Sequence, residues 1–150
     1  MLSSDSEPSC PFCEIAEGRA SADRVYETPE VLAFLPLAPA TTGHTLVIPK
    51  RHVTDLWHAD SGSLMPTMAA SLVVAQALKK AFSPDGLNLI NSAGSAATQT
   101  VFHLHIHLVP RWDDDQMAEF WPKTAPWSAS KRASTAEVIR KNITDCGLRS

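Results

Sequence analysis

His103, His105 and His107 alternate with Leu104, Ile106 and Leu108, and Val109 follows. On a β-strand this period-two spacing puts the three imidazoles on one face and the aliphatic side chains on the other. Histidine is only an intermediate burier and each buried ring needs a polar partner, so three on one face are costly as mere packing. A neutral imidazole titrates near physiological pH and can serve as nucleophile, acid, base or metal ligand. Three readings are open: satisfied structural histidines, a metal site, or catalysis in which one imidazole attacks while its neighbours position the electrophile. Same-face neighbours stand roughly 6–7 Å apart at Cα, so two can share an ion, but three in a straight row converge on one poorly.

The residues upstream favour the third reading. Asn91, Gln99 and Thr100 place amide and hydroxyl groups just before His103, and Gly94-Ser95-Ala96-Ala97 is small enough for backbone N–H groups to approach an anion. Cys10 and Cys13 form a Cys-x-x-Cys, half of a zinc site. A redox pair is the competitor, although that motif normally opens a helix in a βαβ setting; two small core cysteines are the third option. Cys146 reads as inert, and His44 as a structural hydrogen bonder beside an exposed His58. The run Asp113-Asp114-Asp115 reads as a solvated turn.

Residues 103–109 match the His-φ-His-φ-His-φ-φ motif (φ apolar) of the histidine-triad (HIT) family of nucleotidyl hydrolases and transferases, and the chain resembles that family over about residues 10–112. The shared stretches include Gln99-Thr100-Val101-Phe102, Asn91, Gly43 to His52, Val31 to Phe34, and Cys10-Pro11-Phe12-Cys13. The resemblance implies a nucleophilic His105, a phosphate-contacting His107, and a phosphate site lined by Asn91, Gln99 and Thr100. It places Phe12, Ile15, Phe34 and Leu37 around a base. Some members hold a structural zinc with two such cysteines and histidines at the positions of His52 and His103. The expected activity is cleavage of a nucleoside phosphoramidate or phosphoanhydride through a nucleotidyl-histidine on His105, as in purine nucleoside phosphoramidases or dinucleoside polyphosphate hydrolases. The alternative is a weakly catalytic or non-catalytic nucleotide-binding regulator; metal-dependent hydrolysis with the triad as ligands is a third class.

The chemistry assigns jobs to these residues. A nucleophilic imidazole must be unprotonated at the attacking nitrogen, so its other nitrogen donates, typically to a backbone carbonyl. Charge on the non-bridging oxygens is met by His107, Gln99 and nearby N–H groups, with no catalytic cofactor. Two departures from the family bear on substrate. Pro36 occupies the position of a ribose-gripping carboxylate and offers no side-chain donor or acceptor, so ribose recognition weakens. Thr98 stands where a glycine is common, in a loop one residue longer; a threonine does not take φ > 0 cheaply, so the loop is expected to run a different path.

The elements that must position these residues are legible from punctuation and period. Val25–Glu27 and Val31–Leu35 read as strands about a turn at Thr28-Pro29-Glu30, and Thr45–Ile48 as a third strand ended by Pro49. Asp60-Ser61 caps a helix to about Phe82, with Pro66 tolerated in its first turn and an apolar stripe at Leu64, Met68, Leu72, Ala75 and Leu78. Leu87–Asn91 reads as a strand, Ser92–Thr98 as a loop, and Val101–Pro110 as the histidine strand. A last helix is expected to open at Ser134, with a capping box to Glu137, and to run to about Asp145. This gives an α+β domain with a mainly antiparallel five-stranded sheet, one long and one C-terminal helix, and a sheet extended across a homodimer. Residues 1–9 read as a disordered lead-in and 10–150 as one domain, with a tail and helix over about 111–150.

Composition sets the surroundings. The chain has 150 residues, 44% hydrophobic, with formal net charge -3 and no basic run, which disfavours nucleic acid while leaving a single phosphate acceptable. No stretch reads as a membrane span or signal peptide. Three cysteines are not a disulfide framework, so a reducing cytoplasm is expected. The long helix, through Val73-Val74, Ala69-Ala70 and Ala77, is the expected dimer contact, and Trp112, Trp121 and Trp127 are aromatics available to a partner.

Overall fold

Five antiparallel strands lie in the order β1-β2-β3-β5-β4: β1 (Arg24–Glu27), β2 (Val31–Phe34), β3 (Thr45–Pro49), β4 (Gly86–Ile90) and β5 (Ile106–Arg111). These come from a computed structural model that describes residues 9–144. Helix α1 (Pro11–Ala16) precedes the sheet, α2 (Ser61–Phe82) links β3 to β4, and α3 (Ala129–Asn142) follows β5. Short 3-10 turns at Leu56–His58 and Ser95–Ala97 complete the described elements.

Alternation along the central strands sorts two cores. Val31, Ala33, Val47, Ile106 and Leu108 pack against Ala70, Val74 and Leu78 of α2. Leu32, Phe34, Leu46 and Ile48 pack on the opposite face with Phe12 of α1. Both faces are covered, so β2 and β3 are buried at every residue and read as continuous apolar runs. Gly43 (φ +82°) enters β3 under α2; a Cβ there would meet Leu78 and Phe82 side chains at 3.0 Å, so space and backbone both require glycine.

Helix α2 is 22 residues long, with Asp60 and Ser63 closing a capping box. By length and composition it could cross a bilayer; here one face lies on the sheet. The buried stripe is Ser63, Thr67, Ala70, Ser71, Val74 and Leu78, which corrects the expected one: Met68 and Leu72 face outward. The reason is local. The Thr67 hydroxyl donates to Ser63 O at 2.7 Å and that of Ser71 to Thr67 O at 2.8 Å, so these small polar residues are satisfied within the helix and can press on the sheet.

The histidine strand is shorter than expected. β5 begins at Ile106, so His103 and His105 precede the ladder. Pairing of β4 and β5 stops at Ile90–His107, where the Asn91 side-chain amide donates to His105 O at 2.9 Å and takes over a backbone partner's place. Leu104 N–H instead donates to Val53 O at 2.6 Å.

The chain parts after Gln116 into two compact units, close to where the tail and helix were expected to begin. In the second, α3 starts five residues before the expected opening, because Ser128 rather than Ser134 accepts from a free helix N–H, that of Lys131. Ser134 lies inside the helix and donates to Lys131 O at 3.1 Å. The Lys131 ammonium sits 3.8 Å from the centre of the Trp127 ring. Residues 1–8, the expected helix end at Asp145 and Cys146 lie outside the described residues.

Candidate active site and metal-ligand cluster

The aliphatic partners Ile106 and Leu108 turn toward α2, leaving the imidazoles on the α1 side. Phe12 sets its ring edge-on to His103, His105 and Phe34, with centroids 5.9, 5.2 and 5.4 Å away. The His105 and His107 rings are 4.9 Å apart.

Each ring's protons can be placed from its partners. His105 Nδ1 lies 2.7 Å from His103 O; a carbonyl only accepts, so Nδ1 carries the proton and Nε2 keeps a lone pair. His44 Nδ1 accepts from Ala40 N–H at 3.0 Å, which puts its proton on Nε2, 2.9 Å from His107 Nδ1. His107 is therefore the acceptor at Nδ1 and a donor at Nε2. His103 donates from Nε2 to Pro49 O at 2.8 Å, and its Nδ1 lone pair faces the cysteines.

Burial keeps this set neutral. It lowers His107 to about 4, aided by the neighbouring His105 and His44, and it lowers His105 and His44 from their ordinary value. Burial also takes His103 down to about 4, against its hydrogen bond to Pro49.

Gln99 is deeply buried, and its amide is engaged inside the protein. Nε2 donates to Thr54 O at 2.8 Å and Val101 O at 3.1 Å, while Oε1 accepts from Gly94 N–H at 2.8 Å. Both amide hydrogens are thus taken by carbonyls; this side chain braces the loop where it was expected to face an anion. Asn91 likewise anchors the His105 backbone. Thr98 adopts φ +71°, so the threonine takes the left-handed conformation a glycine would, against expectation, at a cost of about 1–2 kcal/mol. Thr100 is exposed and lines, with Cys13, His52 and Phe102, an open cavity of about 630 Å³. Phe34 is buried in the core, Ile15 is partly buried against it and Leu37 is fully exposed. Pro36 is half-buried beyond β2.

His44 is the hydrogen bonder it was read as, and its partner is His107, which brings it beside the triad; its only sequence signal was its place between Gly43 and a buried strand. Asp115 is not solvated but pairs with Arg111 at 2.6 Å.

Cys10, Cys13, His52 and His103 bring one donor atom each within 4.8 Å of one another. His103 Nδ1 lies 3.4 Å from Cys10 Sγ, 3.5 Å from Cys13 Sγ and 3.2 Å from His52 Nδ1, and Cys13 Sγ lies 3.3 Å from His52 Nδ1. A tetrahedral zinc at bond lengths of about 2.0–2.3 Å sets its ligand atoms about 3.3–3.8 Å apart, so the donor set fits. The Cys13 thiol is pushed up to about 11 by burial and the adjoining Cys10; a cation between the sulfurs reverses that preference. The pair does open a helix, with Cys10 as N-cap of α1, but no βαβ unit surrounds it.

The sheet order and the triad define one class of protein, and comparison with known proteins agrees. The HIT domain model matches residues 17–114, and the chain belongs to the HIT family. A HIT family protein from Bacillus subtilis is similar at 34% identity and TM-score 0.86, covering 92% of this chain and 99% of that one. A zinc-bound histidine triad family protein from Mycobacterium smegmatis is 36% identical, with TM-score 0.70 and coverage of 89% and 98%. A histidine triad nucleotide-binding protein from Candida albicans is 28% identical, with TM-score 0.75 and coverage of 89% and 96%.

Proposed function

We propose that the chain is a nucleotide hydrolase or transferase that works through a covalent nucleotidyl-histidine on His105. The observation that carries this reading is the direction of the hydrogen bonds: His105 donates from Nδ1 to His103 O, leaving Nε2 free to attack. Attack of Nε2 on phosphorus forms a P–N bond as the bond to the leaving group breaks, and the leaving group departs with the bonding pair and takes up a proton from solvent. Water then attacks the same phosphorus, the P–N bond to His105 breaks, and a nucleoside monophosphate leaves. His107, held by His44, offers its Nε2–H to a non-bridging oxygen as charge develops there. The substrate class is a purine nucleoside phosphoramidate or a dinucleoside polyphosphate, in keeping with the nucleotide-binding relative and the neutral, partly apolar surroundings of the histidines.

The three triad rings together are not read as one metal site, since His107 keeps no lone pair, its Nδ1 accepting from His44 while Nε2 carries the proton, and the His103 lone pair faces the cysteines. Zinc belongs to Cys10, Cys13, His52 and His103; bound there it ties α1 to the segment carrying the nucleophile and takes no part in the reaction. A homodimer in a reducing cytoplasm completes the reading.

Intact-mass analysis after acid-free quenching with adenosine phosphoramidate tests it. The expected result is a nucleotidyl adduct on the wild type, absent in His105→Asn. No adduct and no turnover of amidates, dinucleoside polyphosphates or nucleoside phosphosulfates, with nucleotide binding retained, would establish the regulatory binder instead.

A further inference from the structure

Cys10 and Cys13 are placed to bond to each other as well as to a metal. Cys10 caps α1, and Cys13 stands one turn on, its N–H donating to Cys10 Sγ at 3.5 Å. Residues three apart on a helix hold their Cα atoms about 5 Å apart, inside the range of about 4.4–6.8 Å that a disulfide spans. Joining the sulfurs therefore takes side-chain rotation and little backbone travel. Both cysteines are only partly buried and line the open cavity of about 630 Å³, which gives a small oxidant access.

The pair reaches the nucleophile from two sides. The fully buried His103 ring points Nδ1 at both sulfurs, 3.4 and 3.5 Å away, while its carbonyl accepts the His105 Nδ1 proton at 2.7 Å. Phe12, between the two cysteines in sequence, sets its ring edge-on to His105 with centroids 5.2 Å apart. A disulfide offers no thiolate to a metal and no S–H to donate. His103 Nδ1 would then keep only the exposed His52 as a partner, a poor state for a buried acceptor. Helix α1, six residues long, cannot by itself hold Phe12 in place.

We propose that Cys10 and Cys13 form a switch responsive to hydrogen peroxide, whose disulfide expels the metal and loosens the seat of His105. One thiolate attacks a peroxide oxygen, the O–O bond breaks and hydroxide leaves, giving a sulfenic acid. The second thiolate attacks that sulfur, the S–S bond forms and a second hydroxide leaves. Two electrons thus pass from the two sulfurs to one peroxide. Both hydroxides take up protons to become water, and Zn²⁺ departs with the loss of its thiolates. A thiol reductant reverses the bond, and the reduced cysteines take the metal back. The reduced state rests on the zinc reading above; the nucleotidyl reaction enters only as a readout.

Cys146→Ser leaves Cys10 and Cys13 as the two thiols of the chain. This protein is loaded with zinc under reducing conditions, freed of reductant and exposed to hydrogen peroxide with a chromophoric chelator present. About one zinc per chain should reach the chelator, while the denatured intact mass falls by about 2 Da, the two hydrogens a disulfide lacks. The kcat/KM for adenosine phosphoramidate should fall about tenfold or more, the usual loss when a group that orients a functional imidazole is removed. Dithiothreitol with zinc should restore mass, metal and activity, whereas methionine sulfoxide and overoxidised cysteine would not return. Cys13→His keeps four metal donors but cannot form the bond, so it should hold zinc and activity through the same exposure. If that variant fails to fold, reversal by dithiothreitol carries the decision. Zinc retained at unchanged mass, or a disulfide that leaves metal and activity in place, would overturn the switch and leave the zinc reading intact. Loss without recovery, or an equal loss in Cys13→His, would overturn it as well. Reduced protein that takes up no zinc would remove the zinc reading, and this inference with it. Protein inactive from the start would sink the nucleotidyl reading alone, since metal and mass still report the bond.

Discussion

At the scale of the residue, the site is a set of proton positions. Three carbonyl or amide partners (His103 O, Pro49 O and Ala40 N–H) decide which nitrogen of His105, His103 and His44 carries the proton. Burial then favours the neutral ring in each. The kinetic consequence has a definite sign. His105 titrates below the ordinary histidine value, so its Nε2 stays unprotonated as pH falls through 6.5, and kcat/KM for an adenosine phosphoramidate should hold level there. The acid limb should appear only at lower pH, with about a tenfold loss per unit below it. Stability follows the same sign. The unfolded chain takes up a proton near 6.5 where folded His107 waits until about 4, so acidification across that window favours unfolding. A pH–rate profile and melting temperatures measured from pH 8 to 4 check both; an acid limb above 6.5 would show that His105 is not so shielded. The triad was legible in the sequence because period-two spacing alone puts its three rings on one face, whereas the upstream amides Asn91 and Gln99 turn out to serve carbonyls of the protein itself. His44 was not, because its role depends on a register that brings Leu46 opposite His107, and neither was the inward engagement of Gln99.

At the scale of the element, the strands and α2 were readable because turn residues and caps punctuate them. The misplacements share one physical cause: local signals that compete with tertiary partners. Ser134 and Glu137 satisfy a capping pattern, yet Ser128 caps first. Leu104 continues an apolar alternation, yet its N–H belongs to Val53. Helix α1 was not read at all; at six residues it is far too short to hold itself. It is fixed by Phe12 in the core and by its capping cysteine, whose Sγ lies 3.4 Å from His103 Nδ1. If zinc joins these donors, metal binding and the order of α1 are one equilibrium. Elemental analysis should then find close to one zinc per chain, and Cys13→Ser should lose it. Melting temperature should drop by about 5–10 °C, the effect of losing about 2–3 kcal/mol in a domain of this size. Metal-free wild type with the same melting temperature as the variant would return both cysteines to ordinary packing.

At the scale of the molecule, α2 carries more apolar surface than the sheet can cover. Its inner stripe is made of small residues satisfied within the helix, which leaves Met65, Met68, Leu72 and Val73 exposed on the outside. β4 ends the sheet with its outer edge unpaired within the described chain, and Leu87 and Leu89 on it are also exposed. A groove lined by Ala75, Lys79, Gly86 and Leu87 joins helix and edge. Exposed apolar faces beside an open edge invite aggregation unless something covers them, and a second copy pairing edge to edge covers both at once while extending the sheet. Of the residues expected at a helix contact, Ala70 and Val74 face the sheet and are not available, while Ala69, Val73 and Ala77 are exposed, with Leu72 beside them. Light scattering should give twice the chain mass for the wild type. Leu72→Glu with Val73→Glu should give the chain mass, since two carboxylates would be buried without partners. Circular dichroism should stay unchanged, because neither residue supports the core. A wild-type monomer would mean that the outer face of α2 is simply tolerated in water; a dimer that survives both charges would move the interface to the β4 edge alone.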